Sequence, residues 1–154
     1  MKKAIKILFK YLFLLCIGGS IYYLIEVLYR GYSHYTMFLV GGICFVLIGL
    51  LNEGMSWDLC IEKQVGLGLA AVLIVEFISG CILNLWLGLH IWDYSKLPFN
   101  ILGQICLPFA LLWIPLVAVA ILLDDSIRYT FFNEQRPKYT SHVVQKIKSL
   151  FNKG

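Results

Sequence analysis

Four long apolar runs constrain this chain more than any other feature of its sequence. They cover approximately residues 7–29, 35–51, 64–89 and 101–123. Crossing the hydrocarbon core of a bilayer as an α-helix takes about 17–25 apolar residues. Because lipid offers backbone N–H and C=O groups no partner, only helices and closed barrels span it. The sequence therefore predicts an all-α integral membrane protein with four transmembrane helices.

The composition excludes a soluble domain. Hydrophobic residues make up 60% of the chain and charged residues 14%, whereas soluble domains contain roughly 45–50% and about 25%. The lysines before the first run are also typical of a signal peptide. However, that run is long, and no small-residue cleavage site precedes Glu26. We therefore expect an uncleaved first helix.

The basic residues predict how the helices are oriented. All of the 13 Lys and Arg except Arg30 and Lys96 lie in the first ten residues, in the 52–63 loop or after the fourth run. The positive-inside rule makes that side cytoplasmic, with both termini inside. We expect a multi-pass protein of the bacterial plasma membrane. The net charge of +4 indicates attraction to anionic lipid rather than to nucleic acid.

The sequence divides into a four-helix membrane domain, residues 1–130, and a basic cytoplasmic tail, residues 131–154. In the tail, Val143, Ile147 and Leu150 recur at helical spacing, with lysines between them. This pattern predicts an amphipathic helix lying on the inner membrane surface. A docking helix for a partner protein has the same appearance and stays open as an alternative.

A short internal similarity raises the question of duplication. Residues 38–48 resemble residues 100–110, and the alignment pairs Gly41 with Gly103. Two copies of a two-helix hairpin would form parallel repeats about an axis along the membrane normal. Chance similarity between apolar segments explains the match equally well, so both interpretations stay open.

Glu76 is the strongest single signal of a functional site. It lies near the middle of the third run, where an acid costs about 2.5–3.5 kcal/mol by insertion scales. Its neighbours at helical spacing include Gly68, Val72, Gly80 and Asn84, which form a small or polar stripe. Such a stripe faces protein or a cavity rather than lipid. Glu76 is therefore either a ligand or proton site, or a hydrogen-bonding contact between helices.

Further polar residues are predicted near the outer membrane surface. Glu26 and Arg30 are four residues apart, in the favourable order for an ion pair on one helical face. They form either an interfacial ion pair or part of a binding site. His34 could carry protons or bind a metal, but no second ligand stands at a suitable spacing.

The polar stretch 92–108 lies between two apolar runs and has to satisfy its own polar groups. Pro108 removes a backbone donor and leaves the Gln104 carbonyl without a helical partner, so we expect a kink or break in the fourth helix. Irregular backbone at membrane depth is tolerated only inside protein or beside a water-filled pocket. We therefore predict that 92–108 packs into the helix bundle. This brings together Asn84, Asp93, Asn100 and Gln104.

These residues predict a polar intramembrane cavity open toward the outer face. The candidate substrate-binding residues are Glu26, Arg30, His34, Glu76, Asn84, Trp92, Asp93, Asn100 and Gln104. The five cysteines show no Cys-x-x-Cys pair or metal-ligand spacing, and no Gly-rich phosphate-binding loop is present. We expect no metal, no cofactor and no catalytic residue, which favours a non-enzymatic role. A lipid-modifying enzyme using His34 or Asp93 is a weaker alternative.

Three stretches of the chain carry a family resemblance. They read ExxYRGYSHYTMFLVGG at 26–42, EFISGxILNLWLGLxIWDYS at 76–95 and PFNxLGQICLPFxLLW at 98–113. They resemble the ABC-transporter type IV family, the CmpB-like small bacterial membrane proteins, over about residues 15–130. The resemblance implies a permease-type transport subunit, without assigning a substrate or a catalytic residue.

That resemblance bears on the partners. Since the chain has no nucleotide-binding loop, any ATPase is expected to be a separate subunit. Four helices are few for a transport path, which favours a homo-oligomer or another membrane subunit beside it. We expect the lipid bilayer as a partner, and a small molecule or lipid as the ligand. The alternative is a non-catalytic membrane scaffold or regulatory subunit.

Overall fold

The computed structural model describes residues 2–54, 60–135, 139 and 141. Its four α-helices are α1 (Lys2–Arg30), α2 (Tyr35–Gly54), α3 (Ile61–Gly80) and α4 (Leu107–Phe132). The only strand-like pairing in the described residues is one antiparallel bridge between Ile101 and Ile105. The prediction of an all-α fold is confirmed.

Three helical segments are long and apolar enough to cross a membrane. They are Ala4–Arg30, Ile61–Trp86 and Leu107–Phe132. The apolar part of α2, Tyr35–Leu51, is shorter. The chain is therefore a multi-pass membrane protein, and the count of four spans stays a prediction.

Helices α1 and α2 pack closely because glycines replace side chains at their contact. A Cβ atom at Gly19 would collide with the backbone carbonyl oxygen of Phe38, and one at Gly42 with that of Leu15. Small residues let helix backbones approach in this way, which is the usual device of membrane helix pairs. Buried apolar residues then join the helices into one core, which includes Leu14, Phe45, Cys44, Ile48, Val72, Val117, Ile121 and Ile127.

The two ends of the bundle can be distinguished by the contacts between its helices. Lys10 Nζ lies 2.8 Å from Glu134 Oε1, so the start of α1 and the residues after α4 lie at the same end. We name this the inner end, after its predicted cytoplasmic side. The outer end contains the α1–α2 connection and residues 87–106, which we name the outer loop. The membrane side that each end faces stays a prediction.

The fourth helix differs from the predicted run 101–123 at both ends. Leu102 and Gly103 have φ angles of 52° and 68°, which no right-handed helix contains. The helix therefore begins at Leu107, and Pro108 falls in its first turn, where a missing N–H costs little. The expected kink or break at Pro108 is thus a helix start. At the other end, α4 continues nine residues past 123 to Phe132.

The third helix changes its geometry toward the outer end. After Gly80 it continues as a π-helical turn, Cys81–Trp86, and the Leu87 N–H donates to the carbonyl of Ile82 at 2.9 Å. The chain leaves the helix at Gly88, whose φ is 63°. Such π-helical turns are often found at functional sites.

Two predictions about organisation are not settled. Residues 38–48 are helical, whereas residues 100–106 form the end of the outer loop, so the proposed duplication is not confirmed. The predicted amphipathic helix lies almost wholly outside the described residues. The boundary between a membrane domain, 1–130, and a tail, 131–154, therefore stays a prediction.

Candidate functional site

The polar stripe of α3 faces the interior of the protein. The buried residues of this helix are Gln64, Gly68, Val72, Glu76 and Gly80, and buried Asn84 continues the stripe into the π-helical turn. Residues four apart lie on one helical face. The placement of Glu76 and Asn84 on a protein-facing stripe agrees with the sequence pattern.

Glu76 is 6% exposed and accepts hydrogen bonds from neutral groups. The Trp113 indole N–H donates to Oε2 at 2.9 Å, and the Tyr94 hydroxyl donates to Oε1 at 3.4 Å. The second contact is long for an O–H···O bond and therefore weak. Within the part of the chain that the structure describes, no Lys, Arg or His forms an ion pair with this carboxyl group.

Two pairs of stacked aromatic rings flank Glu76. Tyr22 stacks on Trp113 with ring centroids 5.5 Å apart, and Tyr94 stacks on Phe109 at 4.6 Å. One ring of each pair also donates a hydrogen bond to the carboxyl group. The acid therefore lies among aromatic side chains contributed by α1, α4 and the outer loop.

A cleft of about 760 Å³ lies beside this group. Its walls come from α1, α3, α4 and the outer loop. Five of the predicted site residues line it, namely Glu26, Arg30, Glu76, Trp92 and Asp93. Aromatic residues that the sequence analysis did not select line it as well, namely Tyr22, Tyr29, Tyr32, Tyr94, Phe109 and Trp113.

The predicted ion pair between Glu26 and Arg30 forms at the rim of the cleft. Arg30 Nη2 lies 2.9 Å from Glu26 Oε1, and the Ser33 hydroxyl donates to the same carboxylate. Arg30 Nη1 also donates to the carbonyl of Ile91 at 2.9 Å. The arginine charge is therefore compensated within the protein, and its side chain connects α1 to the outer loop.

Asn84 and Gln104 hold the outer loop against α3. Asn84 Nδ2 donates to Gln104 Oε1 at 2.9 Å, and Asn84 Oδ1 accepts from the Ile91 N–H at 2.7 Å. The backbone carbonyl of Gln104 accepts from the Trp92 indole N–H at 3.0 Å. This is the carbonyl that Pro108 was expected to leave without a helical partner. The two amides use their hydrogen-bonding groups within the protein, and neither lines the cleft.

Asp93 and Asn100 stabilise turns of the outer loop. Asp93 Oδ1 accepts from the Ser95 N–H at 2.8 Å and from its hydroxyl at 2.5 Å, and these bonds lower the pKa of Asp93. Asn100 donates to the carbonyl of Leu97 at 2.8 Å and accepts from the Gly103 N–H at 3.1 Å. Asp93 is exposed at the rim of the cleft, whereas Asn100 does not line it.

His34 lies away from the cleft lining. Its Nδ1 atom is 2.8 Å from the Thr36 hydroxyl oxygen, and its ring packs on Tyr35. Among the described residues, no group of three or more His, Cys, Asp or Glu is placed to hold a metal ion. A role for His34 in binding substrate stays a prediction.

A charged cluster at the inner end was missed by the sequence analysis. Asp124 is fully buried and Arg128 is 2% exposed, and Arg128 Nε lies 2.5 Å from Asp124 Oδ2. Arg128 also pairs with Glu53, which in turn lies 2.9 Å from Lys10 Nζ. Lys10 pairs with Glu134 as described above. We name these five residues the inner charge cluster.

Two signals in the sequence could have revealed the missed residues. Asp124 and Arg128 stand four residues apart, the spacing of an ion pair on one helical face. Because the two charges pair with each other on one face, α4 can continue past residue 123. A tryptophan inside a membrane helix also needs an acceptor for its indole N–H, which indicates that Trp113 should contact a buried oxygen such as that of Glu76.

The helices, their apolar surfaces and the comparison with known families together define a membrane protein related to transporters. Residues 10–151 match the family model described as "Putative ABC-transporter type IV", and the chain belongs to this family. The resemblance found in the sequence motifs is thereby confirmed. No curated protein and no solved structure matches the chain.

Proposed function

We propose that this protein is the membrane-embedded, permease-type subunit of a transporter and that the cleft at the outer end binds its solute. The observation that carries the proposal is Glu76. It is a buried acid without a cationic partner among the described residues, and it lines a cleft of about 760 Å³. Acidic residues inside membrane segments commonly mark substrate or ion pathways.

The alternative role for Glu76 is a structural hydrogen bond between helices. The Trp113 bond fits such a role, because it connects α3 to α4. The size of the cleft and its aromatic lining favour a binding role. A carboxyl group that served packing alone would be enclosed by protein, as Asp124 is at the inner end.

The proposal includes partners for this subunit. The sequence contains no nucleotide-binding loop, so an ATPase subunit would supply any ATP-driven step. The ion pair between Lys10 and Glu134 supports an even number of spans, because the start of α1 and the residues after α4 meet at one end. Large apolar side chains such as Leu28 and Leu8 are exposed on the bundle and would contact lipid, a second copy or another membrane subunit.

A binding screen across several classes of solute tests the proposed function. The purified protein in lipid nanodiscs is screened by thermal shift against cationic, anionic, zwitterionic and neutral solutes. The best ligand is then followed as flux into reconstituted vesicles. We expect ligands that stabilise the wild type but not Glu76→Gln, and flux that the same substitution abolishes. Glu62→Gln is the matched control, because Glu62 is exposed at the inner end of the same helix.

Two results would contradict the proposal. One is that every ligand in the panel stabilises Glu76→Gln as much as it stabilises the wild type. The other is that Glu76→Gln retains flux while its unfolding temperature falls, which would make the acid a structural contact. A stable protein partner that co-purifies and is lost when residues 138–154 are deleted would instead favour a scaffold or regulatory subunit.

A further inference from the structure

An apolar crevice between α1 and α4 adjoins the cleft at the outer end. A second cavity of about 90 Å³ lies deeper in the bundle, and its lining includes Gly18, Phe45, Val117 and Leu123. The two cavities share four lining residues, namely Tyr22, Ile25, Trp113 and Leu116. The two cavities therefore adjoin each other, and together they offer a space with an acid in its outer part and apolar side chains in its inner part.

This space reaches the side of the bundle. Ile25 on α1 is 38% exposed, while Leu112 and Val119 on α4 are 55% and 60% exposed. Each of these residues lines one of the two cavities or both. Because they are exposed apolar residues of helices apolar enough to span a membrane, the crevice would be accessible from the hydrocarbon layer as well as from the outer end.

The surroundings of Glu76 favour a positively charged ligand. A carboxylate attracts a cation, and the faces of Tyr and Trp rings add a further attraction. The rings of Tyr22, Trp113 and Tyr94 stand beside this carboxyl group, as described above. Of the two Lys and Arg side chains that line the cleft, Arg30 is already paired with Glu26, and Lys96 belongs to the outer loop. An anionic ligand would therefore meet an uncompensated acid at the base of the cleft.

We propose that the cleft binds an amphiphilic organic cation, with its cationic headgroup at Glu76 and a single apolar tail in the crevice between α1 and α4. This inference rests on the proposed function and specifies its solute. Charge complementarity selects the headgroup, and the apolar extension of the cleft selects the tail. Tyr22 and Trp113 lie where the two halves meet and contact the junction of headgroup and tail.

Binding to nanodiscs tests the headgroup. The probes are radiolabelled octyltrimethylammonium and octanesulfonate, which carry the same tail and opposite charges. The nanodiscs contain phosphatidylglycerol, so that no bilayer lipid carries a quaternary ammonium, and empty nanodiscs correct for partitioning. We expect the wild type to bind the cation. Glu76→Gln should bind it at least about tenfold more weakly, because it loses a charge-assisted contact. Glu62→Gln should bind as the wild type does.

Chain length and a blocking substitution test the tail. We expect octyltrimethylammonium to bind the wild type at least about tenfold more tightly than butyltrimethylammonium, because each buried methylene adds to the affinity. Val119→Trp should fill the crevice and remove most of this difference, while leaving binding of the butyl probe unchanged. Leu122→Trp is the matched control, since Leu122 is also exposed on α4 but lines neither cavity.

The results separate this inference from the proposed function. Equal binding of octyltrimethylammonium to the wild type and Glu76→Gln, or tighter binding of octanesulfonate, would overturn the inference. The same holds if Val119→Trp and Leu122→Trp behave alike. If another solute class then binds in a Glu76-dependent manner, the proposed function stands with a different solute. If no class does, both proposals are wrong.

Discussion

The two ends of this bundle bury acidic residues in opposite ways. At the inner end, Asp124 and Glu53 pair with Arg128, and each acid of the inner charge cluster lies in an ion pair with Lys10 or Arg128. At the outer end, the hydrogen bonds that Glu76 accepts from the described residues come from neutral donors, and Glu76 faces a cleft. An acid whose charge is compensated inside the fold contributes to structure. One whose partners are neutral, beside open space, can interact with a ligand.

The largest effect on stability is expected from breaking the inner charge cluster. Arg128→Met leaves Asp124 and Glu53 with less positive charge, and removing one partner of a buried ion pair costs about 3–5 kcal/mol. We expect a large fall in the unfolding temperature, measured by tryptophan fluorescence in nanodiscs. The double variant Arg128→Leu, Asp124→Leu should recover much of the loss, because it removes both charges. A single variant as stable as the wild type would contradict a structural role for this pair.

A smaller effect is expected from the neutral network at the outer end. Asn84→Leu removes the bonds to Gln104 and to the Ile91 N–H, and leaving buried polar groups unsatisfied costs about 1–3 kcal/mol. We expect faster amide hydrogen exchange in residues 87–106, measured by mass spectrometry, and a moderate loss of stability. Leu85→Ala serves as the control, because Leu85 is the exposed neighbour in the same turn. Unchanged exchange in Asn84→Leu would show that the outer loop is held by other contacts.

Glu76→Gln should affect stability least among these substitutions at buried positions. The amide oxygen of glutamine can still accept the Trp113 hydrogen bond, so we expect a change of about 1 kcal/mol or less. Ligand binding should fall sharply in the same variant. This separation between stability and binding distinguishes Glu76 from Arg128. If the stability loss matches that of Arg128→Met, the contrast between the two ends is wrong.

The smallest effect is expected from titration of Glu53. Burial alone would raise the pKa of Glu53, but hydrogen bonds from Lys10 and Tyr11 and the charge of Arg128 lower it. The folded state thus favours the ionised form. The resulting stabilisation is complete above the unfolded pKa of about 4.5 and is lost as the pH falls through the lower folded pKa.

That titration is measured as the difference in unfolding temperature between the wild type and Glu53→Gln. We expect the wild type to be more stable at pH 7, and the difference to shrink as the pH falls below about 4.5. The effect should be modest because the Glu53 side chain is 33% exposed, and solvent screens such pairs. A difference that does not change with pH would exclude the ionic contribution of Glu53.

Part of the candidate site could be predicted from the sequence because it depends on spacing along one helix. The polar stripe through Glu76 and the ion pair between Glu26 and Arg30 both follow from residues four apart. The partners of Glu76 could not be predicted in this way. Trp113 is 37 residues away in the sequence, and the contact depends on how α3 and α4 rotate toward each other.

The outer loop shows a similar limit. The prolines and amides indicated an irregular segment that packs into the bundle, and the unpaired carbonyl of Gln104 was expected. That the Trp92 indole would satisfy this carbonyl depends on the positive φ angles and turns of the loop. Local propensity does not determine such a path, because several loop geometries satisfy the same polar groups.

The sequence by itself determined the helical membrane class and the face of α3 that is buried. The physical reason is that lipid offers no hydrogen-bonding partner to a backbone or a carboxyl group. Few folds are therefore compatible with these long apolar runs and with the spacing of the polar residues in them. The tertiary structure alone decided which charges from different helices pair with each other. Lys10, Glu53 and Arg128 meet at the inner end although Glu53 and Arg128 are 75 residues apart. Such pairing depends on the relative position and rotation of whole helices, and among the described residues it leaves Glu76 as a buried acid that lines the cleft without a cationic partner.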